Sequence, residues 1–395
     1  MKYGIWFVRL LFAAWMIPAG LNHFVPIFPQ PMGNQPLSME LIVALLDSHL
    51  FDLVKGVELI AGLGVLFGIF TPLSLLICLP VSFGVFYWDA PLEGWTSGAA
   101  RYGYATLFCN AVLCLAYYKS YQSIFTLRTE VTERVQPVMI GRIVLGLAAV
   151  LFAVNILFIS GAPQSTQPLA AQLMSSLDNS RLLQVASIMQ ILAGVLLLAG
   201  MLVPLALTIL MIITSNGLFW AVFLNQTPLL AVLSLAMFAV NGLLMLAYLP
   251  CFKGTLERFS MAAGEEHSSS YDNLFVSPYG TTGKADFIPA LITVLAAMAF
   301  FGYFVPGRTA DFCMLVLTYP LFILLIRRVR DMGRNPWVVS VPLLFVLIAF
   351  DVQLGYFTLE ETGDGLIGWL AVLMTAVFVG WGLAGNSNQE TSITS

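Results

Sequence analysis

The chain has 395 residues, of which 59% are hydrophobic and only 10% charged, and its formal net charge is −4. A soluble domain carries about 25% charged residues, so that class is excluded, and with no basic run a nucleic-acid partner is excluded too. Apolar stretches long enough to cross a bilayer recur throughout; they predict an all-α polytopic helical membrane protein of about twelve spans in three four-helix units.

The first predicted span, 4–26, contains Arg9, Asn22 and His23. Its apolar run is too long for a cleavable signal and is interrupted by Arg9, so it reads as a retained helix. Spans at 51–70, 72–90 and 102–119 complete the first unit, residues 1–125. The short junction at Thr71-Pro72 puts proline at a helix start, where its missing N–H costs nothing. Spans at 138–160, 182–202, 205–224 and 228–249 then repeat the pattern in a second unit, 126–255. Gln35-Pro36-Leu37, Ala61-Gly62, Gly68, Pro72 and Trp88 return at one constant interval as Gln167-Pro168-Leu169, Ala193-Gly194, Gly200, Pro204 and Trp220. Arg9 and Asn22 correspond to Arg142 and Asn155, and Asn110 to Asn241. So long a period indicates a duplicated domain rather than a solenoid.

Residues 256–284 contain Gly264-Glu265-Glu266-His267-Ser268-Ser269-Ser270 and lack helical periodicity, which predicts a mobile cytoplasmic linker. A third unit, 285–395, follows, with spans at 286–305, 310–328, 337–357 and 365–385. Lys2, Lys119, Arg128, Arg134, Lys253, Arg258, Lys284, Arg327, Arg328, Arg330 and Arg334 fall on one side of these spans. The positive-inside rule makes that side cytoplasmic, with both termini there. Four helices per repeat give parallel rather than inverted copies.

Ionisable residues inside the spans are the candidate functional groups, because each is costly at membrane depth. Asp52, Lys55 and Glu58 lie three apart, so Lys55 can reach both carboxylates across adjacent turns. The second copy has Gln184, Ser187 and Gln190 there, keeping polarity without charge. The triplet is either a self-neutralised salt bridge or a catalytic, proton-handling pocket. Arg9 and Arg142 either snorkel to headgroups or bind an anionic group or a quinone carbonyl. Asn22 and Asn110, like their counterparts, suit inter-helix hydrogen bonds or ligand contacts. His23, matched by Ile156, is either incidental or able to pass protons. Tyr87 and Trp88 form an aromatic belt or the walls of a quinone pocket. Arg327, Arg328 and Arg330 close a helix, with an Arg328–Asp331 pair, Gly333 as cap and Pro336 opening the next span; the alternative role is anionic lipid or phosphate binding. Three histidines and five dispersed cysteines offer no haem pair, metal cluster or redox motif.

The series Arg9, Asn22-His23, Glu58-x-x-Ala61-Gly62-x5-Gly68-x3-Pro72 resembles the DoxX-like family, over about residues 1–255 and less closely in the second copy. That resemblance implies four-helix membrane bundles, in a family that includes the large subunit of thiosulfate:quinone oxidoreductase. Gly283-Lys284-x-Asp286-Phe287 and Arg327-Arg328-Val329-Arg330-Asp331-x-Gly333-Arg334-x-x-Trp337 resemble the uncharacterised YhaH-type inner-membrane family, which usually has His at the place of Arg330. The resemblance implies a membrane subunit of a redox system, with quinone as a possible cofactor and a redox or envelope protein as partner. A permease for a small or lipophilic solute and a non-catalytic scaffold are the other two readings.

Overall fold

A computed structural model of the chain describes residues 2–129, 136–262, 274–354 and 361–387. Among the described residues the secondary structure is helical, with no strand. The first helix, α1, is Lys2–Phe24. Five helices follow: α2 (Pro36–Asp47), α3 (Leu50–Phe67), α4 (Thr71–Tyr87), α5 (Ala100–Ala116) and the short α6 (Tyr118–Tyr121). The next six are α7 (Gln136–Val154), α8 (Pro168–Asn179), α9 (Leu182–Ala199), α10 (Val203–Phe219), α11 (Pro228–Ala247) and α12 (Leu249–Phe252). The last four are α13 (Lys284–Phe304), α14 (Gly307–Asp331), α15 (Ser340–Leu354) and α16 (Glu361–Ala384). Helices α4, α7 and α10 each run on into a π-helical turn, at Trp88–Leu92, Asn155–Ile159 and Trp220–Asn225.

Among the described residues, ten helices, counted with these extensions, are long and apolar enough to cross a membrane. Of the twelve expected spans, α3 and α5 are the two that fall short. The first carries three charged residues, and the second has 17 residues, about 26 Å at 1.5 Å per residue. Apolar side chains such as Leu229, Val232, Leu233 and Leu246 on α11 point out of the protein, as a bilayer solvent requires. Helices α2 and α8 were not anticipated. At 12 residues each they are about 18 Å long, too short to register as spans.

The backbone breaks recur in step. His49 and Arg181 adopt left-handed conformations (φ 58° and 64°), as do Phe70 and Leu202 (φ 50° and 47°). Non-glycine residues rarely do so. Gly68 and Gly200 end α3 and α9 at the same φ of 69°. Each pair is separated by the interval read from the sequence.

The chain divides into two compact units. One comprises Met1–Pro29, Glu58–Thr71 and Met261–Ser395. Here α1 packs on α13 and α14. Gly62 lets α3 approach α1 closely: an added Cβ would lie 2.9 Å from Ile17 Cγ1 and 3.1 Å from the Ile17 nitrogen. The expected mobile linker is corrected in part. Leu274, Phe275 and Val276 are buried. Phe275 stacks at 4.6 Å on Trp6, and the Tyr319 hydroxyl donates to the Val276 carbonyl. Burying this apolar triplet supplies the driving force that a polar linker lacks. The serine-rich stretch lies outside the described residues.

The other unit comprises Gln30–Val57 and Pro72–Ser260. Helix α9 packs on α7 through Gly146 and Gly194, where an added Cβ at Gly194 would lie 2.9 Å from the Gly146 oxygen. Helices α2 and α8 also pack together. Asn179 Nδ2 donates to Glu40 at 2.8 Å, and Gln172 Nε2 donates to Asp47 at 3.0 Å. Positions 40 and 172 are equivalent at the repeat interval, and so are positions 47 and 179. The two bonds are therefore mates in an antiparallel, self-complementary contact of the kind that a two-fold axis generates.

Candidate functional site

Helix α3 carries the whole triplet, but its members have different surroundings. Asp52 is half-exposed and meets the ring of His49 at 3.1 Å. Lys55 lies 4.9 Å from the Phe51 ring centre. Glu58 is 1% exposed, so it faces protein and not lipid. Its counterpart Gln190 is 5% exposed and donates from Nε2 to the Ala149 carbonyl at 3.1 Å. Position 58 thus holds an ionisable acid, and the sequence-matched position 190 a neutral amide donor.

The two arginines are buried and do not snorkel. Arg9 Nη2 donates to the Val65 carbonyl at 2.8 Å, and its guanidinium lies 3.8 Å from the Trp6 ring centre. Arg142 sits against Gly200, where an added Cβ would be only 2.6 Å from Nη1. Each cation therefore sits at the C-terminal end of the second long helix of its copy, where the helix dipole is negative.

The asparagines are also engaged. Asn22 Oδ1 accepts from the amides of Ile27 and Phe28 at 2.9 and 2.8 Å, fastening the turn after α1. Asn110 Nδ2 donates to Ser82 Oγ at 2.8 Å, and Asn241 Nδ2 donates to Thr214 Oγ1 at 3.4 Å. These equivalent bonds join α4 to α5 and α10 to α11, the inter-helix role read from the sequence. His23 is half-buried, with its ring edge against Phe24. The Tyr87 hydroxyl donates to the Ser180 carbonyl at 2.7 Å. Trp88 Nε1 donates to the Ser38 carbonyl at 3.0 Å, and Trp220 repeats this at Ala170 with 3.1 Å. Both indoles thus tie a π-turn to the neighbouring short helix.

The three arginines in the last turns of α14 are engaged within the protein, largely by backbone carbonyls. Arg327 donates from Nε to Thr282 Oγ1 at 2.9 Å, and through its other nitrogens to the carbonyls of Ser277, Tyr279 and Thr281. Arg330 donates to the Pro278 and Gly280 carbonyls. Arg328 is wholly buried; it pairs with Asp331 and donates to the Gly382 and Gly385 carbonyls at the end of α16. The expected Arg328–Asp331 pair is present, and Gly333 (φ 68°) caps the helix. Lipid or phosphate would have to compete with these internal acceptors. A cavity of about 150 Å³ lies beside the start of α13, lined by Lys2, Thr281, Thr282, Asp286 and Arg327 among others.

Two acidic groups went unread as site residues. Glu93 is buried and accepts from the Asn34 amide at 2.8 Å, the Gln35 amide at 3.3 Å and the Ser38 hydroxyl, a carboxylate set at the N-terminus of α2. Burial acts to raise its pKa, but the hydrogen bonds from Ser38, Asn34 and Gln35 outweigh that and hold it below the usual carboxylate range. Asp89, four residues earlier in the same π-turn region, is 6% exposed. Their counterparts are Asn225 and Ala221. The signal was available: both lie beside the matched Trp88 and Trp220, and both lose their charge in the second copy. Among the described residues, no three His, Cys, Asp or Glu side chains converge to hold a metal.

No protein-family description, curated protein or solved structure matches the chain. The chain is an integral membrane protein with many apolar helices in contact with a bilayer.

Proposed function

We propose that this protein is a membrane subunit of a quinone-linked redox system, placed in the bacterial inner membrane with both termini in the cytoplasm. We read the segment 1–255 as two fused DoxX-like bundles, followed by a YhaH-type domain. The observation that carries the reading is the contrast between Glu58 and Gln190. Both side chains are buried on equivalent helices, and the second copy folds around an amide. An amide serves at the matching position, and burial of an ionisable group at Glu58 is costly. A buried acid is suited to proton exchange.

Reduction of a quinone to its quinol takes up two electrons and two protons. In this reading the electrons come from a partner protein or a reduced substrate, Glu58 passes a proton to one quinone oxygen and is reprotonated from water, and the second proton comes from water. The experiment is extraction of the purified full chain, with mass spectrometric identification of the small lipophilic molecules it retains. A quinone at near-stoichiometric amount in the wild type, and its loss in Glu58→Gln but not in Gln190→Ala, supports the reading. Quinone-free wild-type protein, or equal retention in Glu58→Gln, overturns it.

A further inference from the structure

We propose that Asp89 is a second proton-binding carboxylate, separate from Glu58, which takes up and releases a proton at the Trp88–Leu92 end of its span. Four observations lead there. Asp89 is 6% exposed, and the hydrogen bond at this residue runs from Ser97 Oγ to its backbone carbonyl rather than to its carboxylate. A structural aspartate so deeply buried is ordinarily satisfied by backbone or side-chain donors, because a bare buried carboxylate is expensive. Second, the fold does not need it. The equivalent Ala221 is 1% exposed and packs in the apolar cluster with Trp220, Leu224 and Ala170. Third, the residue lies in a π-turn, a local widening of the helix that recurs at functional sites.

The fourth observation is the charge around it. Lys55 on α3 is the facing cation and Glu93 the neighbouring anion, while Tyr102 on α5 is within electrostatic reach, with Arg101 beside it. The carboxylate of Glu93 is already occupied by the Ser38, Asn34 and Gln35 donors. Gly103 brings α5 close on the other side, where an added Cβ would sit 2.8 Å from Asp89 Cβ. The turn that follows in the chain exposes Trp95, Thr96 and Gly98.

The test is labelling of the full chain in detergent with dicyclohexylcarbodiimide, a lipophilic reagent that modifies protonated carboxyl groups in apolar surroundings. Peptide mapping by mass spectrometry then reads the adduct at Asp89. The expected result is an Asp89 adduct whose yield falls to background as pH rises, with a pH dependence altered in Lys55→Met. Persistence of the adduct in Glu58→Gln separates this site from the quinone reading, which can fail while this one stands. Asp89 left unlabelled at every pH, or labelled identically with and without Lys55, overturns the proposal. Asp89→Ala, which copies the second repeat, supplies the fold control: its thermal stability should equal or exceed that of the wild type, and marked unfolding would overturn the claim that the carboxylate is structurally dispensable.

Discussion

Helix α3 contains two glycines, Gly56 and Gly62, whose replacement by alanine should have opposite effects. Alanine favours a helix over glycine by about 0.8–1.0 kcal/mol. At Gly56 an added Cβ meets no protein atom within 4 Å, so Gly56→Ala should stabilise by about that amount. At Gly62 the same methyl would lie 2.9 Å from Ile17 Cγ1, 3.0 Å from Met16 Cβ and 3.1 Å from the Ile17 nitrogen. Two of those atoms belong to or adjoin the α1 backbone and cannot rotate away. Overpacking of this kind costs about 1–3 kcal/mol, which leaves Gly62→Ala a net loss of about 1 kcal/mol once the helix gain of roughly 1 kcal/mol is subtracted. The two variants should therefore differ by about 2 kcal/mol, up to roughly 30-fold in the unfolding equilibrium. Thermal unfolding of the purified chain in detergent reads this directly, with Gly56→Ala above the wild type and Gly62→Ala below it. Stabilisation by both variants would refute the close approach of α3 to α1.

The Glu93 carboxyl has a depressed pKa, so its contribution is present above the ordinary carboxylate range and disappears as pH falls through the folded-state value. Glu93→Gln should thus cost about 1.5–3 kcal/mol at neutral pH, the usual worth of bonds to a charged group, and the deficit should shrink on acidification, as followed by denaturation at several pH values. Arg328→Met should cost about 3–5 kcal/mol by stranding the Asp331 charge, and Arg328→Met/Asp331→Leu should recover most of it in a double-mutant cycle. Arg327→Met removes the donors that hold residues 277–282; limited proteolysis of intact protein should then cut that segment faster than in the wild type.

The helical membrane class was legible because hydropathy over about 20 residues is a long-range average, insensitive to detail. The matched Asn110–Ser82 and Asn241–Thr214 bonds were legible in part, since polar residues retained at equivalent places in apolar spans need a common partner. The Arg328–Asp331 pair and the Gly333 cap could be read because both are local to one helix end. What escaped was non-local. Nothing in the spacing shows that Arg9 meets the Val65 carbonyl 56 residues away, or that Glu93 caps α2 from 55 residues downstream. Helices α2 and α8 escaped because 12 residues fall below the length at which a span declares itself. The segment at 274–276 reads as linker because a short apolar triplet beside a serine-rich run carries no period, and its burial depends on Trp6 near the opposite end of the sequence.

The measurement closest to the centre of the account is the affinity of the purified chain for a short-tailed quinone, followed through tryptophan fluorescence, in the wild type, Glu58→Gln and Gln190→Ala. An acid that contacts the carrier in the first repeat only predicts that Glu58→Gln weakens binding by about tenfold or more, equivalent to roughly 1.4 kcal/mol, while Gln190→Ala binds as the wild type does. Equal affinity in all three proteins, or no saturable binding in any, would contradict it.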